Sequence, residues 1–333
     1  MTAAYYADDT VTLHQGDALD VLATMATGAA DCIVTSPPYY GLRDYGVPGQ
    51  YGLEETPEAY VATLAAVFAE AHRVLADDGT LWLNLGDSYS TGRGTPNAGF
   101  NERWHGPGMS GQRKQETGRP TQRGRVKGMP TKALLGLPWR VALAVQLAAP
   151  WTLRNDVIWV KPNAMPENVA DRLSGRHEHL FMFTKGPRYW FDLDAIREPY
   201  TGDRAPSRRA RKGANKSTSG AAPWTPDDAK GRNPGDVWTI ATRPNPQAHG
   251  AVFPIDLPLR CIKAGCRPGG TVLDPFTGSS TTGLAARQLG HRFVGIDLNP
   301  AYLDLSRSRV AQGVLPFPDT LGEDTASGAR HAG

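Results

Sequence analysis

Cysteine is scarce in this chain: Cys32, Cys261 and Cys266 are the only three among 333 residues. An odd count gives no even-numbered disulfide framework, and no C-x-x-C pair begins a zinc site. Four residues separate Cys261 from Cys266 with no third or fourth soft ligand nearby, so buried thiols in a reducing compartment are expected. Long apolar runs are also missing. The most apolar segment, residues 133–150, is broken by Pro138, Arg140 and Gln146, which excludes a membrane span. The first residues lack the basic and apolar regions of a secretory signal, so a soluble cytoplasmic protein is expected. An excess of one charge is absent too: the formal net charge is only +3, and the placement of charge says more than its sum. Neither a Walker lysine nor a full dinucleotide glycine pattern occurs, which argues against an ATPase and a nicotinamide enzyme.

What is present is an alternation of strand and helix patterns. Hydrophobic residues make up 40 %, enough for one large α/β domain with insertions or for two modest domains, while Gly 37 and Pro 27 require much loop. Strands are expected over residues 10–13, 31–34, 80–85, 151–160, 178–184, 271–274 and 292–297. Helices are expected over 18–25, 58–75, 134–147, 254–264, 281–289 and 301–310. The polar connection between 151–160 and 178–184 predicts a hairpin. Together these elements describe one doubly wound α/β domain.

Two stretches break the pattern. Residues 92–131 are rich in Gly, Arg, Pro and Gln and include Arg123 and Arg125. Residues 201–236 carry Arg204, Arg208, Arg209, Arg211 and Lys212. The α/β domain is therefore expected to run through 1–91, 132–200 and 237–315, with a mobile basic loop at 92–131, a basic insertion at 201–236 and a disordered tail at 316–333.

Two loops carry chemistry. The string from Asp274 through Pro275, Phe276, Thr277, Gly278, Ser279, Ser280 and Thr281 to Gly283 lies between a strand and a helix. Small residues there let the backbone approach a ligand, and the helix N-terminus offers free N–H groups. Asp297 ends the next strand, where an acid can take a ribose hydroxyl. The second loop, Thr35-Ser36-Pro37-Pro38-Tyr39-Tyr40, also closes a buried strand. The Ser36 hydroxyl and Pro37 carbonyl suit an exocyclic amine, whose lone pair is delocalised into its ring until acceptors on the N–H groups free it. The prolines fix φ and hold that carbonyl, and Tyr39 offers a flat face to a base rotated out of its stack. On its own this loop reads equally as a rigid turn with a packing tyrosine.

The two strings together resemble the signature pair of amino-directed DNA methyltransferases. Their order, catalytic motif first and a basic region between, is similar to the β subgroup. The resemblance covers roughly residues 10–310 apart from the basic stretches. It implies a mostly parallel seven-stranded sheet of Rossmann-like methyltransferase type in circularly permuted order. It further implies S-adenosyl-L-methionine as cofactor. Asp274, Phe276, Gly278, Ser279 and Thr281 would hold its amino acid end, Asp297 the ribose, and Asp17 the adenine. Thr35 and the segment ending at Phe253 and Pro254 would help to enclose it. Residues 154–163, with Trp159 and Lys161, resemble the strand bordering the target-base pocket, although Trp159 serves equally as core.

In this family Ser before Pro-Pro accompanies cytosine N4 methylation, and Asp or Asn accompanies adenine N6 methylation. A hydroxyl can donate to the ring nitrogen beside the cytosine amine as well as accept. N4-cytosine is therefore favoured and adenine kept as the alternative, while C5 methylation lacks its cysteine after a proline. The basic stretches are expected to contact double-stranded DNA, 201–236 as target recognition region and 92–131 as a clamp. A homodimer and a cognate restriction endonuclease stand as further partners. A non-catalytic nucleic-acid-binding protein on the same fold is the alternative of a different class.

Overall fold

A computed structural model describes residues 4–90, 119–120 (backbone only), 126, 129–199, 231–243 and 253–311. The described chain builds β1 (Tyr6–Ala7), β2 (Val11–Gln15), α1 (Ala18–Thr24), β3 (Ala30–Thr35), β4 (Arg43–Asp44), α2 (Pro57–Val74), β5 (Leu75–Leu85) and β6 (Arg119–Pro120). It continues with α3 (Leu137–Ala148), β7 (Thr152–Val160), β8 (His177–Thr184), β9 (Val237–Thr239), α4 (Asp256–Gly265), β10 (Thr271–Asp274), α5 (Thr281–Gln288), β11 (Arg292–Asp297) and α6 (Pro300–Ala311). One sheet runs in the order β1-β2-β11-β10-β3-β5-β8-β7-β9, and β4 pairs separately with β6.

The sheet has nine strands among the described residues, not the seven expected. Seven of the nine match predicted strands. The other two are β1, a two-residue antiparallel edge, and β9, a three-residue parallel edge beside β7, both too short to show a period. Five of the eight pairings are parallel, so the mostly parallel character holds. The predicted hairpin is present as antiparallel β7 and β8.

Central strands are buried on both faces, as parallel strands sandwiched between helices must be. In β10 every residue is buried, and in β3 only Asp31 is partly open. One core joins this sheet to α1, α2 and α3, and a second joins its other face to α4, α5 and α6. Helix α2 shows why its segment folds so. Thr56 caps it by accepting from Ala59 N, Pro57 opens the first turn, and Tyr60, Leu64, Val67, Phe68, Ala71 and Val74 form its buried stripe. Helix α3 starts three residues later than expected, because Gly136 is left-handed and the Asp87 carboxylate accepts from the N–H groups of Gly136 and Leu137. All three cysteines are buried and unpaired in the second core. No helix among the described residues is long and apolar enough to cross a membrane.

The decisive feature for the site is the neighbourhood of β3 and β10. They are adjacent and parallel, with Cys32 opposite Val272 and Ile33 opposite Leu273. The ends of both strands, Thr35 and Asp274, therefore emerge at the same sheet edge although 239 residues separate them in the chain. Strand β11 lies beside β10, and β2 beside β11 with Gln15 opposite Asp297, which brings Asp17 to that edge as well.

Packing beneath the turn from β10 into α5 requires Gly283. A Cβ there would sit 2.7 Å from the Phe293 ring of β11, closer than carbon atoms tolerate. Gly283→Val is expected to destabilise the fold by roughly 1–3 kcal/mol through overpacking, seen as a lower urea midpoint with unchanged slope.

Candidate active site

The turn from β10 into α5 is held by its own side chains. Gly278 and Ser280 both take left-handed backbone, at φ 49° and 57°. Ser280 N donates to Thr277 O at 2.7 Å, the Thr277 and Ser280 hydroxyls pair at 2.9 Å, and Thr277 N reaches Ile296 O at 2.9 Å. These bonds offset the cost of the left-handed serine and fix the loop before any ligand arrives.

Asp274 is 3 % exposed. Its carboxylate accepts from the Thr35 hydroxyl at 2.6 Å, the Thr282 hydroxyl at 2.8 Å and Phe276 N at 3.1 Å. Asp274 thus clamps the end of β3 to the loop between β10 and α5, a task that its sequence position alone does not announce. Burial pushes its carboxyl up to about 6 against the pull of those donors. Asp297 accepts from Gly278 N at 2.9 Å and Asn299 N at 2.8 Å, and burial likewise pushes it to about 6. Asp17 caps α1 through Leu19 N at 2.9 Å and accepts the Tyr51 hydroxyl at 3.0 Å. The Tyr51 ring meets Phe276 edge-on, with centroids 5.1 Å apart.

A cleft opens between these parts, lined by Ser36, Phe253, Asp274, Phe276, Thr277, Gly278, Ser279 and Thr281. The Thr281 hydroxyl is buried there without a hydrogen-bond partner. An unsatisfied buried hydroxyl costs about 1–3 kcal/mol, so this one points to a polar ligand in the cleft. Ser279 lines the cleft too, but Arg309 of α6 donates to both its hydroxyl and its carbonyl at 2.6 Å. Its hydroxyl oxygen is held by Arg309, a contact that no local motif foreshadows.

On the other side of the cleft Thr35 is buried, and the Pro38 carbonyl accepts the Tyr60 hydroxyl at 3.0 Å. The Tyr39 ring packs on Gly86, where a Cβ would lie 2.7 Å from the ring. The Ser36 hydroxyl donates to the Tyr39 oxygen at 3.2 Å. Tyr39 in turn lies 2.7 Å from Glu178 Oε2 and 3.1 Å from Asn84 Oδ1. Burial, with the Glu178 charge second, pushes the Tyr39 phenol well above its usual range, so it stays protonated. Lys161 Nζ holds the other carboxylate oxygen, Glu178 Oε1, at 2.8 Å. No sequence signal singles out Glu178 or Asn84; they come from β8 and β5, and only the sheet pairing brings them to Tyr39.

Of the two residues assigned to the base-pocket border, Lys161 reaches this cluster. Trp159 is buried and donates to Ile240 O at 2.8 Å, so it belongs to the core. In this arrangement the Ser36 hydrogen goes to Tyr39, so the donation to a ring nitrogen expected from the sequence is not made here, and the hydroxyl offers the cleft its lone pairs. Arg123, Arg125, Arg204, Arg208, Arg209, Arg211 and Lys212 lie outside the described residues.

Comparison with known proteins agrees with this geometry. A family described as DNA methylase, of the N6/N4 type, matches residues 30–308. The type II methyltransferase M.Cfr9I of Citrobacter freundii is 42% identical over 299 residues, covering 90% of this chain and 87% of that protein. M.SmaI of Serratia marcescens, also a type II methyltransferase, is 39% identical over 295 residues and 89% of each chain. Among solved structures, a PvuII DNA methyltransferase termed cytosine-N4-specific superposes with a TM-score of 0.62 at 19% identity, covering 92% of this chain and 88% of that one. A DNA modification methylase from Thermus thermophilus, complexed with S-adenosyl-L-methionine, gives 0.56 at 24%, covering 92% and 95%. With the strand ending at Thr35 and the loop after Asp274 meeting at one sheet edge, and relatives along nearly its whole length, this chain belongs to the N6/N4 DNA methylase family of S-adenosylmethionine-dependent enzymes.

Proposed function

We propose that this chain methylates the exocyclic N4 amine of a cytosine rotated out of double-stranded DNA, at a defined sequence. The observation that carries the reading is Ser36, a neutral hydroxyl rather than a carboxylate, at the mouth of the cleft shared with the cofactor loop. S-adenosylmethionine, when bound, supplies a methyl group on a cationic sulfur. The residues fit it: Thr281 has an unsatisfied hydroxyl, Asp297 an acid for the ribose, and Phe276 an apolar face between Tyr51 and the cleft. Asp17, which holds the Tyr51 hydroxyl, would take the adenine, and Phe253 lines the cleft.

The chain's own contribution to the chemistry is acceptors. Ser36 Oγ and the Pro37 carbonyl would take the two N–H groups of the amine and draw the nitrogen toward tetrahedral geometry, freeing its lone pair. The buried Asp274–Thr35 bond keeps that pair of acceptors in fixed relation to the cofactor loop, which is positional rather than chemical catalysis. In this reading Arg204, Arg208, Arg209, Arg211 and Lys212, together with Arg123 and Arg125, supply the phosphate and base contacts. A nuclease of the same specificity is the natural partner for an enzyme whose relatives are type II methyltransferases.

The test is mass analysis of nucleosides from unmethylated bacterial DNA incubated with the protein and S-adenosylmethionine. N4-methylcytosine is expected. N6-methyladenine would overturn the choice of base, and the absence of any methylated nucleoside would favour a non-catalytic DNA-binding protein.

A further inference from the structure

We infer that Glu178, oriented by Lys161, is the acceptor at the end of a proton path that leads from the target amine through Ser36 and Tyr39. The inference rests on the methyltransferase reading above and extends it to the fate of the proton that methylation releases. An exocyclic amine that takes a methyl group gains an N–C bond while the C–S bond breaks and its electron pair stays on sulfur. The nitrogen is then cationic and must lose one proton. Ser36 Oγ is a weak base by itself and cannot keep it.

The hydrogen bonds define a direction. A carboxylate can only accept, so at the 2.7 Å contact the Tyr39 hydroxyl is the donor and Glu178 Oε2 the acceptor. Tyr39 has one hydrogen, so its oxygen is left to accept from Ser36 at 3.2 Å. Ser36 then presents only lone pairs to the cleft, the state needed to receive an N–H. When the amine proton passes to Ser36, the Ser36 proton moves to Tyr39 and the Tyr39 proton to Glu178, so neither hydroxyl carries a net charge. The positive charge lost at sulfur matches the negative charge lost at Glu178, so the net charge of the site is unchanged, and Lys161 stays cationic beside a neutral Glu178 until that proton leaves.

The surroundings suit that role. Lys161 Nζ occupies Oε1 at 2.8 Å, which leaves Oε2 to face Tyr39. The Glu178 side chain is 16 % exposed and that of Lys161 20 %, so the proton can leave to solvent between turnovers. Asn84 Oδ1, at 3.1 Å from the same phenol, cannot take the proton at neutral pH, and its amide is anchored on His179 O. A carboxylate on β8 that served only to hold the fold would have no reason to end on Tyr39, the residue that accepts the Ser36 hydrogen.

Glu178 acts through Tyr39 and is a positioning and proton-accepting residue, so its test must separate that role from packing. Radiolabel transfer from S-adenosylmethionine to unmethylated bacterial DNA is followed for the full chain, for Glu178→Gln, Tyr39→Phe and the double variant. Each single change is expected to lower kcat about tenfold with KM for DNA and cofactor affinity kept within about twofold. The double variant is expected to be no slower than the slower single one, because both cut the same path. Glu178→Ala, which leaves a space beside Lys161, should regain rate with added formate but not with chloride. Additive losses, a loss confined to KM, or no formate rescue would overturn the path while leaving the wild-type activity in place. A wild-type chain that transfers no label overturns the methyltransferase reading and the path with it.

Discussion

Ser36→Ala is expected to slow methyl transfer about 100-fold or more, with cofactor affinity changed by no more than about threefold. The size follows from what the hydroxyl does as charge develops. Removing one preorganised hydrogen-bond partner of a developing charge costs about 10²–10³ in rate in comparable sites, and here the same group also starts the exit of the proton. The small effect on binding follows from the anchoring. The cofactor loop is held by Asp274, Thr282, Thr277 and Asp297, and none of those bonds involves Ser36. The fold should tolerate the change, since Tyr39 keeps its bond to Glu178 and the one lost is worth about 1 kcal/mol. Single-turnover transfer, compared with cofactor titration on the same preparation, checks both halves. Full activity in the alanine variant would sink the proposed role of the hydroxyl.

Much of this site is legible in the sequence because its chemistry is local. Residues 271–274 and 292–297 match their strands to the residue, since a short, largely apolar run between turns leaves a parallel strand little choice. The cleft is lined by Ser36 from one string, by Asp274, Phe276, Gly278, Ser279 and Thr281 from the other, and by Phe253 from a separate segment. What escaped is what depends on sheet order. Asp274 is read as a ligand contact from its string, but its neighbour across the sheet is Thr35, and that pairing makes it a clamp. Glu178 looks like any polar residue at the start of an apolar strand until β8 lies beside β5 and faces Tyr39. Arg309 sits in a helix with little amphipathic pattern, and only the packing of α6 beneath the loop takes it to Ser279. The edge strands β1 and β9 are set by pairing rather than by period. Local patterns therefore find the reacting loops, while the residues that support them appear only after tertiary pairing.

Cofactor affinity should fall as pH drops from 7.5 to 5, and Asp297→Asn should both weaken binding and flatten that dependence. In the cofactor-free protein burial raises the Asp297 carboxyl to about 6, so near pH 5 it is largely protonated. A ribose hydroxyl donating to the ionised carboxylate favours the charged form, so binding releases a proton whenever the group starts out protonated. The sign is then fixed: below about 6 each further unit of acid must be worked against, and affinity weakens with falling pH. A hydrogen bond to a charged acceptor is worth about 1.5–3 kcal/mol, so the asparagine variant should bind about 30-fold more weakly at pH 7.5. Asp274 is also raised to about 6, by burial, but its oxygens are taken up by Thr35, Thr282 and Phe276 N. Its titration disturbs the clamp rather than a cofactor contact. The residual pH dependence of the Asp297→Asn variant therefore measures the clamp alone. Calorimetric titration of S-adenosylmethionine at pH 5, 6 and 7.5, in two buffers of different ionisation heat, reads affinity and proton release together. A wild-type affinity level across that range, or an asparagine variant that binds as well as wild type, would remove Asp297 from the ribose.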